Sequence, residues 1–129
     1  MPKRVMILED TPDLRTILID VVESAGHEVA YAGADRDCLQ RILAAPPDLI
    51  FLDLVMGDIK GGDIYAALRQ DPRTKTLPII VCTVHRQQSV SRKLGKESSD
   101  EDPNLQMLFK PFAIAQALMM LRSMLGDPA

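Results

Sequence analysis

The chain holds only two cysteines, Cys38 and Cys82, too few and too isolated for a disulfide framework. Cys82 closes the apolar run Ile79-Ile80-Val81, so a buried, reduced thiol is expected. Basic charge is also short: 15 Lys and Arg stand against 18 Asp and Glu, a formal net charge of −3. That balance argues against a general nucleic-acid-binding surface, which needs a basic field. No signal-peptide h-region is present, and no apolar run approaches a membrane span. A cytoplasmic protein with no membrane partner is the expectation. Internal repeats and domain boundaries are absent as well. At 129 residues and 47% hydrophobic, the chain suffices for one domain with a core of its own.

What is present is alternation. Apolar runs at 4–9, 28–32, 48–53, 78–83 and 105–110 read as strands, and 12–25, 34–44, 62–70, 89–94 and 112–125 as helices. The first helix is well specified: Thr11 stands at the cap, Pro12 at the first position, and Gly26 stops it. Its stripe is Leu14, Ile17, Leu18, Val21 and Ala25. Strict strand–helix alternation with short connections predicts an α/β domain, a parallel sheet with helices on both faces. Leu49-Ile50-Phe51-Leu52 is apolar throughout, as a strand covered on both faces should be. Residues 96–103 (KESSDEDP) hold four acids against one lysine and read as a solvated, mobile loop.

Polar groups gather where these runs end. Glu9-Asp10, Asp53 and Lys110-Pro111 each lie just past a strand, and Thr83 closes another. Ligands of open α/β sheets bind outside the carboxyl ends of the strands. Three carboxylates there repel one another unless a cation sits between them, and Mg²⁺ suits all-oxygen donors. Taken singly, each residue has a plain reading as a cap, a turn residue or a surface lysine. For Asp53 capping fits poorly, because the next helical pattern starts only near Gly61-Gly62. Taken together, they suggest an aspartyl nucleophile forming an acyl phosphate, with metal and lysine bearing the phosphoryl charge. Thr83 offers that group a hydroxyl.

In order and spacing, VMILEDTPDLRTIL, PDLIFLDLVMGDIKGGDI, LPIIVCT and LFKPF resemble the receiver domains of two-component response regulators, over essentially the full length. The resemblance implies a flavodoxin-like, doubly wound sheet of five parallel strands in the order 2-1-3-4-5. It implies Asp53 as phosphoacceptor, Asp10 as a direct ligand of Mg²⁺, Glu9 acting on the metal through water, and Val55 lending a backbone carbonyl. Thr83 and Lys110 would contact the phosphoryl oxygens, and the Lys110-Pro111 bond would be cis. The implied partners are a sensor histidine kinase or phosphotransfer protein as donor, and a downstream protein whose binding the modification changes. Residues 1–129 would form a single receiver domain, monomeric or weakly dimeric, with no output domain and no direct nucleic-acid partner. It would be no enzyme in the usual sense, catalysing only its own phosphorylation and dephosphorylation. The alternative is a phosphorylation-independent protein-binding module of the same fold.

Three positions depart from the family pattern. Gly57 stands where proline is usual, which implies a looser loop after Asp53. Val84 replaces a small residue beside the expected phosphoryl entrance, and Met107 replaces the aromatic that turns inward on activation. The stretch from Thr83 to Lys110 is also longer than usual. In the last helix Ile114, Leu118, Leu121 and Leu125 form the expected core stripe, with Ala117 beside it. Ala113, Met120 and Met124 widen the arc, read first as deeper burial and second as a partner face.

Overall fold

The computed structural model describes residues 2–84 and 102–126. The helix expected at 89–94 and most of the acidic loop lie outside the described residues. The chain runs β1 (Arg4–Leu8), α1 (Pro12–Ser24), β2 (Glu28–Gly33), α2 (Cys38–Ala44), β3 (Leu49–Asp53), β4 (Val55–Met56), β5 (Ile59–Lys60), α3 (Gly61–Gln70), β6 (Ile79–Thr83), β7 (Leu105–Phe109) and α4 (Ile114–Leu125). The five long strands pair in parallel in the order β2-β1-β3-β6-β7. Counting those strands alone, this is the expected order 2-1-3-4-5. The order reverses between β1 and β3, which opens a crevice at their carboxyl ends.

Alternate residues of β1, β3 and β6 face opposite cores, which is why these three strands read as unbroken apolar runs. Met6, Leu8, Ile50, Leu52, Ile79 and Val81 pack with Cys38 and Ile42 of α2 and with Ile64, Tyr65 and Leu68 of α3. Val5, Ile7, Leu49, Phe51, Ile80 and Cys82 pack with Leu18, Val21 and Val22 of α1 and with Ala117 and Leu121 of α4. Both cysteines are free and buried. Burial pushes both thiols up, so neither is a thiolate nucleophile at neutral pH. Among the described residues no helix is long and apolar enough to cross a membrane.

Several local expectations are corrected. Thr11 is the N-cap residue of α1, but its side chain makes no cap hydrogen bond. Its N–H instead donates to Glu9 Oε2 at 3.2 Å. Val22 joins the buried stripe of α1, while Leu14 and Ile17 are only half-buried. α2 begins at Cys38 rather than at 34, because the Asp35 side chain accepts the Asp37 N–H and holds a turn there. In α4 the inner stripe is Ala117 and Leu121, and Ile114 is 58% exposed. Ile114 lies in the first turn beside Pro111 and Phe112, lining a cleft with Leu14 and Ile17. Residues 55–60 are not a loose loop: Val55 pairs with Lys60 and Met56 with Ile59, around a turn where Gly57 takes φ +59°.

Candidate functional site

β1 ends at Leu8 and β7 at Phe109, one residue earlier than expected, which leaves Glu9 and Lys110 just outside the sheet. β3 ends on Asp53 itself, in register with Cys82 of β6. Thr83 follows Cys82 and pairs with Phe109, and the Lys110 N–H donates to the Thr83 carbonyl at 2.8 Å. Parallel pairing thus delivers Glu9, Asp53, Thr83 and Lys110 to one end of four adjacent strands. The Lys110-Pro111 peptide is cis, as the resemblance implies.

Lys110 is the hub. Its Nζ donates to Glu9 Oε1 at 2.8 Å and to Asp53 Oδ2 at 3.2 Å. The other Asp53 oxygen, Oδ1, accepts the Val55 N–H at 3.1 Å. Glu9 is 1% exposed, Asp53 and Thr83 are buried, and Asp10 is open to solvent. One oxygen each from Glu9, Asp10 and Asp53 lies within 4.8 Å of the others. Burial pushes the Glu9 carboxyl above its ordinary value, against the pull of the Lys110 ammonium. Burial also works against the Lys110 charge, yet the bond to Glu9 and the charge of Asp53 outweigh it and hold the ammonium above its usual value. Three carboxylates against one ammonium leave a formal −2 in a half-enclosed pocket. A divalent cation with oxygen preference matches that deficit in charge and in donor chemistry, so the residues present fit Mg²⁺.

Every sequence-derived site residue reaches this end of the sheet. Val55 is half exposed and meets Asp53 through its N–H. Of the departures, Val84 is 69% exposed, and Met107 is partly buried on the α2–α3 side of the sheet. Two contributions were missed. Arg15 Nη1 donates to the Glu9 carbonyl at 3.2 Å, fixing the backbone between the two acids. Gly61 packs against the backbone that carries Asp53. A helix whose first two residues are glycines, the poorest helix formers after proline, was the available signal for the second.

A family model described as the response regulator receiver domain matches residues 5–122. Chemotaxis protein CheY of Thermotoga maritima is 31% identical over 123 residues, 92% of this chain and 96% of that protein. A putative response regulator from Chloroflexus aurantiacus superposes with a TM-score of 0.82 at 28% identity, over 98% of this chain and all of that one. The receiver domain of a sensor histidine kinase from Pseudomonas aeruginosa, with a magnesium ion coordinated in its active site cleft, superposes with a TM-score of 0.79. It is 20% identical over 98% of this chain and 100% of that chain, a likeness of fold.

Proposed function

The chain belongs to the response regulator receiver domain family of two-component systems, and on that premise we propose that Asp53 accepts a phosphoryl group from a phosphohistidine donor. The observation that carries the reading is the junction of Asp53, Glu9, Asp10 and Lys110 at one strand-end pocket.

An Asp53 carboxylate oxygen attacks phosphorus and forms the new O–P bond as the P–N bond to the donor histidine breaks. The imidazole nitrogen leaves with the electron pair and is the site that takes up a proton. Val55 N–H and Lys110 hold the two Asp53 oxygens from different sides, so the nucleophile is oriented before the donor arrives. Lys110 then shares its charge between Asp53 and the incoming phosphoryl oxygens, and the Thr83 hydroxyl donates to one of them. Asp10, Asp53 and the Val55 carbonyl would hold Mg²⁺ directly, with Glu9 acting through water. Bound there, the ion supplies charge neutralisation on the phosphoryl oxygens. A receiver of the same fold carries magnesium in its own active site cleft, which supports the assignment.

No separate substrate is turned over; water later attacks phosphorus, the bond to the Asp53 oxygen breaks, and inorganic phosphate leaves as the carboxylate is restored. The donor is a sensor histidine kinase or phosphotransfer protein, and the modified domain changes its affinity for a downstream protein. Incubation with Mg²⁺ and acetyl phosphate, followed by intact mass, tests the reading. Wild type should gain one phosphoryl group and Asp53→Asn none. A wild type that gains nothing would favour the phosphorylation-independent binding module, and full labelling of Asp53→Asn would reassign the acceptor.

A further inference from the structure

We propose that Gly61 is a positioning residue for the acceptor, acting through the absence of a side chain. The inference rests on Asp53 being the phosphoacceptor. Gly61 is the buried first residue of α3, and its N–H donates to the Leu54 carbonyl at 3.0 Å. That bond closes the loop that leaves Asp53, passes through β4 and β5, and returns. A Cβ at Gly61 would fall onto the Asp53 carbonyl oxygen, with Leu54 Cα at 2.7 Å and the Asp53 carbonyl carbon at 3.0 Å. All three are backbone atoms, so no rotamer change relieves the overlap. Among the described residues, positive φ is confined to Gly26, Gly57 and Gly126. Gly61 is therefore required for space, not for an unusual backbone conformation.

The consequence runs along a short covalent path. A methyl at Gly61 must push α3 away or rotate the Asp53–Leu54 peptide. Either movement reaches Val55, the next residue, whose N–H fixes Asp53 Oδ1 at 3.1 Å. The carboxylate then loses its orientation, and the loop bearing the Val55 carbonyl shifts with it. Gly57 provides the contrast within the same loop, since a Cβ there meets nothing within 4 Å.

The test compares wild type, Gly61→Ala and Leu121→Ala, the last a destabilised control in the α1–α4 core. All are held at low temperature with trimethylamine N-oxide, which favours the compact state of each. In metal-free protein, Gly61→Ala should shift the Asp53 and Val55 amide NMR resonances, which Leu121→Ala should leave in place. Gly61→Ala should also weaken Mg²⁺ binding about tenfold or more, the scale seen when support of a metal ligand is lost. Phosphorylation at saturating Mg²⁺ should slow by a similar factor. Leu121→Ala should lower Tm and leave both parameters unchanged. Behaviour of Gly61→Ala matching that of Leu121→Ala overturns the proposal. So does its failure to fold under these conditions, which would assign Gly61 to the fold alone. Absence of phosphorylation in wild type would overturn the acceptor reading instead, while the metal-free resonances still report whether Gly61 holds the carboxylate.

Discussion

Lys110 holds two carboxylates at once, and its two bonds have different consequences for mutation. Lys110→Ala would remove the ammonium that bridges Glu9 and Asp53. Asp53, the proposed nucleophile, survives, so phosphorylation should persist, slowed about a hundredfold, as expected when a preorganised charge is removed. Single-turnover mass kinetics with acetyl phosphate would measure this, and an unchanged rate would remove Lys110 from the machinery. Asp10 differs because it is exposed and, among the described residues, forms no ion pair in the pocket. Its contribution should therefore appear chiefly as metal affinity. Asp10→Asn should weaken Mg²⁺ at least about tenfold, by titration, with little loss of stability. Equal affinity in the two proteins would take Asp10 out of the ligand set.

At the scale of elements, α3 is anchored twice. Its first residue lies against the end of β3, and its later turns grip the segment that leads into β7. Tyr65 Oη donates to Asp102 Oδ2 at 2.6 Å, and Arg69 Nε donates to the same oxygen at 2.7 Å. Arg69 also reaches the Thr74 and Asn104 carbonyls. Asp102 was read as part of a solvated acidic loop, and the structure corrects this: its side chain is 10% exposed and fully engaged. Burial pushes Asp102 up, but its bonds from Tyr65, Arg69 and the Asn104 N–H outweigh that and hold the carboxyl below its usual value. The folded state therefore binds this proton less tightly than the unfolded chain. The resulting stability is present above the unfolded value, near pH 4, and is lost as pH falls through the lower folded value. Burial first, and then the bond to Asp102, push Tyr65 up to about 12. Its contribution is present below the unfolded value, near pH 10, and is lost as pH rises through about 12. Tyr65→Phe should cost about 2 kcal/mol at neutral pH, since it removes a bond to a charged group. In urea unfolding across pH, Tyr65→Phe should lose stability less steeply than wild type in alkali, and Asp102→Asn less steeply in acid. Parallel curves would mean that these groups do not titrate with folding.

The molecule as a whole is two cores divided by one sheet. Ile42 is fully buried on the α2–α3 side and Leu121 on the α1–α4 side. Ile42→Val should cost about 0.5–1.5 kcal/mol and Leu121→Ala about 2–5 kcal/mol. Because the sheet separates the two sites, the double variant should equal the sum within about 0.5 kcal/mol in urea unfolding. A larger departure would show that the faces communicate through the sheet. Lys3 and Gly126 meet on one ring: His27 Nδ1 accepts the Lys3 N–H at 3.0 Å, and Nε2 lies 3.4 Å from the Gly126 carbonyl. With Nδ1 accepting, the proton of the neutral ring stands on Nε2 and faces that carbonyl.

Among the described residues the order of the five long strands and the helices between them was legible in the sequence, because β1, β3, β6 and β7 are each an apolar run ended by a polar residue. The same local signal located Glu9, Asp10, Asp53, Thr83 and Lys110, since parallel strands place all their carboxyl ends on one side. The β4–β5 pair was not legible, because two-residue strands are too short to carry a period. Nor was the exposure of Ile114, which depends on where α4 sits along the sheet rather than on its own spacing. Asp102 joined to Tyr65, and Lys110 bridging Glu9 to Asp53, are contacts between residues far apart in the chain. Sequence by itself determined which polar side chains are present and at which strand ends they stand. Only the tertiary structure decided which oxygen faces which donor and why Gly61 admits no side chain, because those are distances across the fold and no local pattern encodes them.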